Sequence, residues 1–369
     1  FYPKKQVIVC FGKYWYDTVL HNTRTCIFYK KQFTMIKIVP WHKATVLSRK
    51  QLSPTVTKLT LQIQPPNTED RPTTPFTFLP GQWVDFTPLL TPSPTSPLSS
   101  RPVPPKDAIG GYSITSIPSN LPLFELAIQK SRHPVAEWVA LHAQPEDLVT
   151  VRVGGNFTYS SPSRSSSNRD NVNVMEQSQT KKKNLLFIAG GVGINPLFSM
   201  IRQWHEDFSN GKIARDSKAV LLYSGRSTKE LLFLQELEQM AGLTPMNFRI
   251  MTSVTRQKPS TFKEMRNNSE TIPGMKHISI REGRISSTMI SYARKWIHQT
   301  KSCENVHAND SFTALSEESD DEVHFFDLAF VCGPPGMPED MLNILLPTSE
   351  ESELSFVKSE NDVYFEKWW

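Results

Sequence analysis

The sequence predicts an antiparallel β unit followed by a parallel α/β unit, and two observations support this prediction. Between residues 41 and 159, short runs of alternating apolar and polar residues are separated by turn dipeptides such as Ser53-Pro54 and Pro80-Gly81, as in strands with one face in water. From residue 184 onward, continuous apolar runs alternate with helical segments. Strands that are buried on both faces and joined by helices form parallel sheets with right-handed crossovers.

The β unit begins after Trp41. Two strands are predicted within ATVLSRKQLSPTVTKLTLQI, two short strands flank the turn in FTFLPGQWVDFTP, and further strands lie in GYSITS and LFELAIQK. A helix follows, with Pro134 in its first turn, where a missing N–H leaves no hydrogen bond unmade, and with VAEWVALH as its body. The segment EDLVTVRVGGNFTY supplies the last one or two strands.

The α/β unit opens with the strand NLLFIA, the glycine loop GGVGINP and the helix PLFSMIRQWHEDF. The strand AVLLYSG, the helix TKELLFLQELEQMA and the strand NFRIMTSVT follow in that order. Another helix, GRISSTMISYARKWIH, begins after Gly283. The stretch FFDLAFVCGPPGMPEDMLNILL supplies a strand, a turn and a helix, and DVYFEKWW supplies a closing strand.

Three polar segments interrupt or join these units. Residues 91–106 hold six prolines in sixteen positions, residues 160–183 are Ser-rich and end in three lysines, and residues 302–322 carry seven acids without Lys or Arg. These compositions are typical of a loop, a linker and a disordered acidic insertion, respectively. The predicted domains are therefore residues 41–159 and residues 184–369.

The first 40 residues are basic and poor in acids. Ten of the 41 Lys and Arg residues, but only one of the 36 Asp and Glu residues, lie in the first 50 positions. This bias predicts a mitochondrial presequence; the alternative is a mis-extended start with Met35 as the first residue, which leaves a cytoplasmic protein. The rest of the chain is close to neutral, so the pI of 8.9 gives no argument for nucleic-acid binding.

Cysteine spacing and hydropathy exclude several classes of protein. The four cysteines are far apart and none forms a C-x-x-C pair, which argues against a zinc ribbon, a thioredoxin motif and a Cys-ligated iron–sulfur cluster. No metal site is expected. No apolar run approaches the roughly 20 residues that a membrane-spanning helix needs, so no such helix is expected.

Two glycine turns predict a nucleotide crevice in the α/β unit. The first follows a buried strand and opens a helix, and comprises Gly190, Gly191, Val192, Gly193, Ile194, Asn195 and Pro196. Glycines let a pyrophosphate approach the backbone N–H groups at a helix N-terminus. The second turn, Cys332-Gly333-Pro334-Pro335-Gly336-Met337, lies at the carboxyl end of a later buried strand, where ligands of open α/β sheets bind. Alternatively, the first turn is purely structural and Cys332 is an inert buried thiol.

The segment Gly111–Ser116 places Tyr112 among the hydroxyls of Ser113, Thr115 and Ser116. An aromatic face stacks on planar rings, and hydroxyls bond ring heteroatoms. The alternative interpretation is an ordinary amphipathic strand.

The order of these motifs carries a family resemblance. GQWVDF, GYSITS, the proline-started helix, VRVGGNF, IAGGVGINP, YSGRSTKELLF, EGRI, VCGPPGM and the terminal FEKWW together resemble the ferredoxin–NADP reductase-like flavoprotein superfamily over roughly residues 41–369, apart from the insertions. VRVGGNF with FEKWW indicates one subgroup within it. The resemblance implies an FR-type FAD-binding β-barrel followed by a Rossmann-like NAD(P)-binding domain.

The resemblance also implies roles for individual residues. Tyr112 stacks on the isoalloxazine, Ser113 lies near flavin N5, and Trp369 covers the other flavin face. The implied FAD contacts are Tyr112, Ser113, Thr115, Ser116, Trp369 and, at a helix N-terminus, His133, Pro134, Val135 and Ala136. The implied NAD(P) contacts are the residues of the two glycine turns, with Tyr223, Ser224 and Arg226 near the adenosine and Cys332 beside the nicotinamide. The candidate catalytic residues are Cys332, Ser113 and Glu366, although Glu366 is equally a candidate surface partner for Lys367.

One position departs from the family pattern. The flavin motif usually carries an Arg two residues before the Tyr, and here that position is Gly110. Glycine cannot supply the bidentate contact that Arg makes with a pyrophosphate; Lys130 and Arg132 are candidate substitutes. The expected function is hydride transfer from NAD(P)H to FAD, with electrons passing on to a small molecule or a separate redox protein. The alternative is a nucleotide-binding or interaction module of the same fold with weak or no catalysis.

Overall fold

The described part of the chain builds two six-stranded sheets, one antiparallel and one parallel. The computed structural model describes residues 39–65, 74–89, 104–105, 107–160, 182–256, 274–298, 325–347 and 355–367. Both sheets belong to the one compact unit that begins at Val39. This architecture confirms the fold class predicted from the sequence.

The antiparallel sheet has the strand order β4-β3-β6-β1-β2-β5. An isolated bridge between Ile114 and Leu126 joins the chain beyond β4 to β5, so the two edges of the sheet meet as in a barrel. Apolar side chains from every strand fill its interior. Its strands are β1 His42–Ser53, β2 Val56–Ile63, β3 Trp83–Pro88, β4 Gly110–Ser113, β5 Leu123–Gln129 and β6 Leu148–Gly154.

The helix α1, Pro134–Leu141, covers this barrel with its apolar face. Val135 and Val139 are fully buried, and the Trp138 ring lies 6.4 Å from the Phe86 ring of β3. Pro134 occupies the first turn, as predicted, because its missing N–H would have no partner there.

The parallel sheet has the strand order β10-β9-β8-β7-β11-β12. Its strands are β7 Asn184–Gly190, β8 Lys218–Gly225, β9 Phe248–Val254, β10 Ile278–Glu282, β11 Leu328–Gly333 and β12 Val363–Lys367. The chain runs outward from β7 through β8 to β10, and then returns to add β11 on the other side of β7. The strand order therefore reverses between β7 and β11, and a crevice opens at the carboxyl ends of such a pair.

Helices cover both faces of the parallel sheet. Alternate residues of β11 show this division, since Phe330 and Cys332 pack in one apolar cluster and Ala329 and Val331 in the other. The first cluster contains residues of α2 and α3, and the second contains residues of α4 and α5. These helices are α2 Ile194–Ser209, α3 Leu234–Leu243, α4 Ser287–His298 and α5 Met337–Leu345.

Three predicted elements differ from the structure. The segment FTFL before Pro80 is not a strand, although Phe76 and Phe78 are buried. The helix predicted from Thr228 begins only at Leu234, because the side chains before it are drawn into the core and Phe233 adopts a left-handed φ of 60°. The edge strand β10 was not predicted, since its five residues ISIRE lack a continuous apolar run.

Several predictions concern residues outside the described ranges. The presequence or mis-extended start lies outside them except for residues 39–40. The linker and the two insertions lie outside them except for a few flanking positions, and so does Trp369. The domain boundaries therefore stay predictions. Among the helices that the structure describes, none is both long and apolar enough to cross a membrane.

Candidate functional site

The two glycine turns meet at the point where the strand order reverses. The register pairs Ala189 of β7 with Cys332 of β11, so both strands end side by side. A Cβ atom placed on Gly190 would lie 2.5 Å from Met337 Sδ and 2.7 Å from Pro334 Cδ. Because Gly190 carries no side chain, the first turn can lie directly against the second turn.

The glycines of the first turn play different parts. A Cβ atom on Gly193 would overlap the carbonyl group of Cys332 and lie 2.8 Å from Gly333 N. Gly191 has a left-handed φ of 54°, and nothing lies within 4 Å of its missing Cβ. A side chain at Gly193 would therefore strike the second turn even without a ligand, and the role of this turn in phosphate binding stays a prediction. Gly191 is the glycine that faces open space.

The helix α2 starts directly after this turn. The residues Ile194, Asn195 and Pro196 are buried, whereas Val192 is half-buried. The Asn195 side chain does not face the turn: its Nδ2 donates to the Ala127 carbonyl on β5, 2.7 Å away. Its Oδ1 is buried without a hydrogen-bond partner among the described residues.

The second turn presents backbone rather than a thiol. Cys332 is fully buried and belongs to the apolar cluster beneath α2. Its Sγ therefore reaches a nicotinamide only if neighbouring groups move, which favours the packing interpretation; a catalytic role stays a prediction. Gly333 is buried, while Pro334 is exposed at the mouth of the crevice.

The residues expected near an adenosine are divided between core and surface. Tyr223 is fully buried, and its hydroxyl accepts the Leu232 N–H at 2.9 Å, so its placement at the adenosine is wrong. Burial raises the pKa of this phenol. Arg226 is exposed beyond the end of β8, and Ser224 is half-buried, so these two remain candidates.

The side chain of Tyr112 faces the barrel core and covers Gly110, the position where the family pattern has an Arg. In the β3–β4 ladder Tyr112 pairs with Val84 and Gly110 with Phe86, so both lie on the core face of β4. The Tyr112 ring packs edge-on against Phe86, with centroids 6.0 Å apart, and a Cβ atom on Gly110 would lie 2.6 Å from its Cε2. Burial raises the pKa of the phenol, and its Oη has no hydrogen-bond partner within the described ranges.

The hydroxyls after Tyr112 are all buried. The Ser116 Oγ accepts the Glu125 N–H at 3.0 Å, and its carbonyl accepts a hydrogen bond from the Ser199 hydroxyl. The Thr115 Oγ1 is buried and unpartnered among the described residues. Ser116 therefore serves the packing of the two sheets, whereas Thr115 keeps a free hydrogen-bonding group.

Trp83 is a neighbour of Ser113 that motif reasoning passed over. The two residues pair directly across β3 and β4, so their side chains share the outer face of the sheet. The indole of Trp83 lies over Gly154 and Gly155, where added Cβ atoms would come within 2.7 Å of it. The two glycines of VRVGGNF thus leave room for the indole of Trp83.

The amino end of α1 is accessible. His133 and Pro134 are exposed, and Val135 and Ala136 point into the barrel core. Lys130 and Arg132 are exposed just before the helix. A cation at this end can therefore reach an anion that is bound to the first N–H groups of α1.

Glu366 lies on the edge strand β12, opposite Cys332 in the ladder. Successive strand residues point to opposite faces, and Lys367 pairs with Glu339 of α5. Lys367 therefore has a partner on the helix, and both of the roles suggested for Glu366 stay predictions. In the part of the chain that the structure describes, no three His, Cys, Asp or Glu residues form a metal-binding group.

Comparisons with known proteins agree with this geometry. Residues 187–290 match the family model described as the oxidoreductase NAD-binding domain. A solved ferredoxin NADP+ reductase from Neisseria gonorrhoeae, with bound FAD and NADP, superposes with a TM-score of 0.51 at 15% identity over 89% of this chain and 98% of that one. The chain has the ferredoxin–NADP reductase-like fold.

Other proteins share this reductase-like fold or the sequence. The FAD/NAD-binding domain of nitric oxide dioxygenase from Vibrio cholerae has a TM-score of 0.51 at 15% identity, over 89% of this chain and 98% of its own. Oxidoreductase NAD-binding domain-containing protein 1 of Danio rerio is 28% identical over 86% of this chain and 88% of its own length. The Homo sapiens protein of that name is 28% identical over 80% of this chain and 72% of its own. This is the group that VRVGGNF with FEKWW indicated, so the resemblance is confirmed.

The contrast between the two turn glycines predicts different losses of stability. We expect Gly193→Ala to lower the free energy of unfolding by several kcal/mol, since its methyl group meets rigid backbone. Gly191→Ala should cost only about 1–2 kcal/mol for the left-handed conformation. Urea unfolding of both variants measures this, and equal losses would contradict the assignment.

Tyr223 gives a second prediction. Tyr223→Phe leaves the buried Leu232 N–H without its acceptor and should lower the unfolding free energy by about 1–3 kcal/mol, with little change in nucleotide affinity per folded molecule. Tyr364→Phe is the matched control, because this residue is 42% exposed. Weaker nucleotide binding without a loss of stability would return Tyr223 to the binding site.

Proposed function

We propose that this chain is an NAD(P)H-dependent flavoprotein oxidoreductase that passes electrons to a small molecule or a separate redox protein. The observation that carries the proposal is the contact of the two glycine turns at the reversal between β7 and β11. When bound, the reduced nicotinamide supplies a hydride and the flavin accepts it. The protein's part is to hold the two groups in line and to exclude water.

The first turn fits a nicotinamide nucleotide. Gly191 leaves the approach to the backbone open, and the N–H groups at the start of α2 carry the positive end of the helix dipole. Pro334 bounds the same crevice from the second turn. We assign the pyrophosphate to residues 190–194 and the adenosine side to Ser224 and Arg226.

The barrel fits a flavin nucleotide with an altered pyrophosphate site. The unpartnered hydroxyls of Tyr112 and Thr115 are groups that a bound molecule can satisfy. The amino end of α1, with Arg132 beside it, binds the FAD pyrophosphate in place of the Arg that Gly110 replaces. Ser113 and the indole of Trp83 share the outer face of the sheet and would adjoin the ring system.

A module without catalysis is the second candidate, and Tyr112 favours it. Its ring lies over Gly110 and packs against Phe86, so it must rotate outward before it can stack on any ring. A protein that binds a nicotinamide nucleotide but not flavin would keep the first turn and leave Tyr112 in the core.

Flavin content separates the two candidates. For the enzyme, the purified protein has flavin absorbance that bleaches on anaerobic addition of NADH or NADPH. A colourless protein that takes up no FAD at micromolar concentrations, yet binds either nucleotide in calorimetry, is the module. Absence of both binding activities would overturn both candidates.

A carboxylate in the open turn tests the nucleotide site. Gly191→Asp should weaken NAD(P)H binding at least about tenfold, because a negative charge would face the phosphates within a few ångströms. Gly211→Asp is the control, since Gly211 also has a left-handed φ and open surroundings but lies beyond α2. Equal affinities for the two variants would remove this turn from the site.

A further inference from the structure

Side chains of α2 reach across to the antiparallel half of the molecule, and three of them contact β5 or the residues just after β4. Asn195 Nδ2 donates to the Ala127 carbonyl at 2.7 Å, and Ser199 Oγ donates to the Ser116 carbonyl at 2.6 Å. One turn further along, Arg202 donates to the Glu125 carboxylate at 3.0 Å and to the Thr115 carbonyl at 3.3 Å. We call these three residues the polar stripe of α2.

The spacing of the polar stripe puts it on one side of the helix. Residues separated by three or four positions share a helix face, and this face meets β5 and the loop that follows β4. Asn195 and Ser199 are buried. Bonds of this kind are directional, so they fix an orientation that apolar packing alone would leave free to slide.

The last contact of the stripe belongs to a small charge network. Glu125 pairs with Arg202 and also with Lys58 of β2 at 2.8 Å. Burial alone would raise the pKa of Glu125, but its two cationic partners hold the pKa below its usual value. The Arg202 guanidinium also lies 5.5 Å from the centre of the Phe198 ring, which restricts its position.

The stripe connects two places with different tasks. Its first residue, Asn195, directly follows residues 190–194, which are assigned to the nicotinamide nucleotide. Its partners Thr115 and Ser116 lie two and three residues beyond β4, the strand that carries Tyr112 and Ser113. We propose that Asn195, Ser199 and Arg202 are positioning residues, which hold the nucleotide turn and the flavin side of the barrel in one geometry and transmit nucleotide binding to residues 115–127. This inference rests on the proposed function.

Hydrogen–deuterium exchange measures the coupling without relying on catalysis. The purified full chain is labelled with and without saturating NADH, and separately NADPH. In the unaltered protein, peptides covering 190–196 and 115–127 should both become protected. In Asn195→Ala at saturating nucleotide, residues 190–196 should remain protected from exchange. The protection of residues 115–127 should fall at least about threefold, because the hydrogen bond from Asn195 to Ala127 is lost.

Kinetics give an independent measure. At saturating nucleotide, Asn195→Ala should slow flavin reduction at least about tenfold with the nucleotide Kd changed less than about twofold. Ser199→Ala, a smaller change, should act in the same direction and serves if Asn195→Ala does not fold. Asn247→Ala is the matched control, since its amide bonds the carbonyls of Arg215 and Ser217 within the α/β half; it should alter neither measurement.

The outcomes are distinguishable. If the unaltered protein shows no protection at 190–196 with either nucleotide, the proposed function fails and takes this inference with it. Suppose instead that nucleotide protects residues 190–196, and that the protection of residues 115–127 is the same in Asn195→Ala, Ser199→Ala and Asn247→Ala. That result overturns this inference and leaves the proposed function standing.

Discussion

The close contact between the two glycine turns is the constraint on which the rest of this structure depends. Gly193 lies against the Cys332 carbonyl, and Gly190 against Pro334 and Met337. No side chain fits in either place, so the ends of β7 and β11 approach more closely than other residues would allow. This approach fixes where α2 begins, and α2 in turn contacts the barrel. Among the glycines of the first turn, Gly191 is the one whose missing Cβ faces open space.

The sequence predicted the elements of this fold well where apolar runs were continuous. The runs NLLFIA and AVLLYSG, apart from the half-buried Ser224, are buried strands because both of their faces are covered by helices. Phe76 and Phe78 show the limit of such patterns: their alternation predicted burial correctly, but no strand among the described residues pairs with them. A hydrophobic pattern states which side chains leave water and does not state which backbone groups bond.

The site residues were predictable by type and position but not by orientation. The motifs located the turns correctly because a glycine motif describes backbone, which the fold determines. The orientations of the side chains of Tyr112, Tyr223 and Cys332 depend instead on the residues that pack around them. Gly110 leaves a space on the core face of β4, and the Tyr112 ring covers it beside Phe86. Sequence alone gives no sign that one missing side chain redirects another.

The same reasoning explains why polar side chains connect the two sheets. Arg202 lies seven positions after Asn195 on α2, so their bonds hold the barrel at two points about 10 Å apart. Two such points fix an angle as well as a distance, which a single contact cannot do. The buried Asn195 Oδ1, which has no partner among the described residues, costs free energy in the protein alone. An apolar residue of similar size would remove this unpartnered oxygen, but it would also leave the Ala127 carbonyl without its donor and the angle between the sheets less defined.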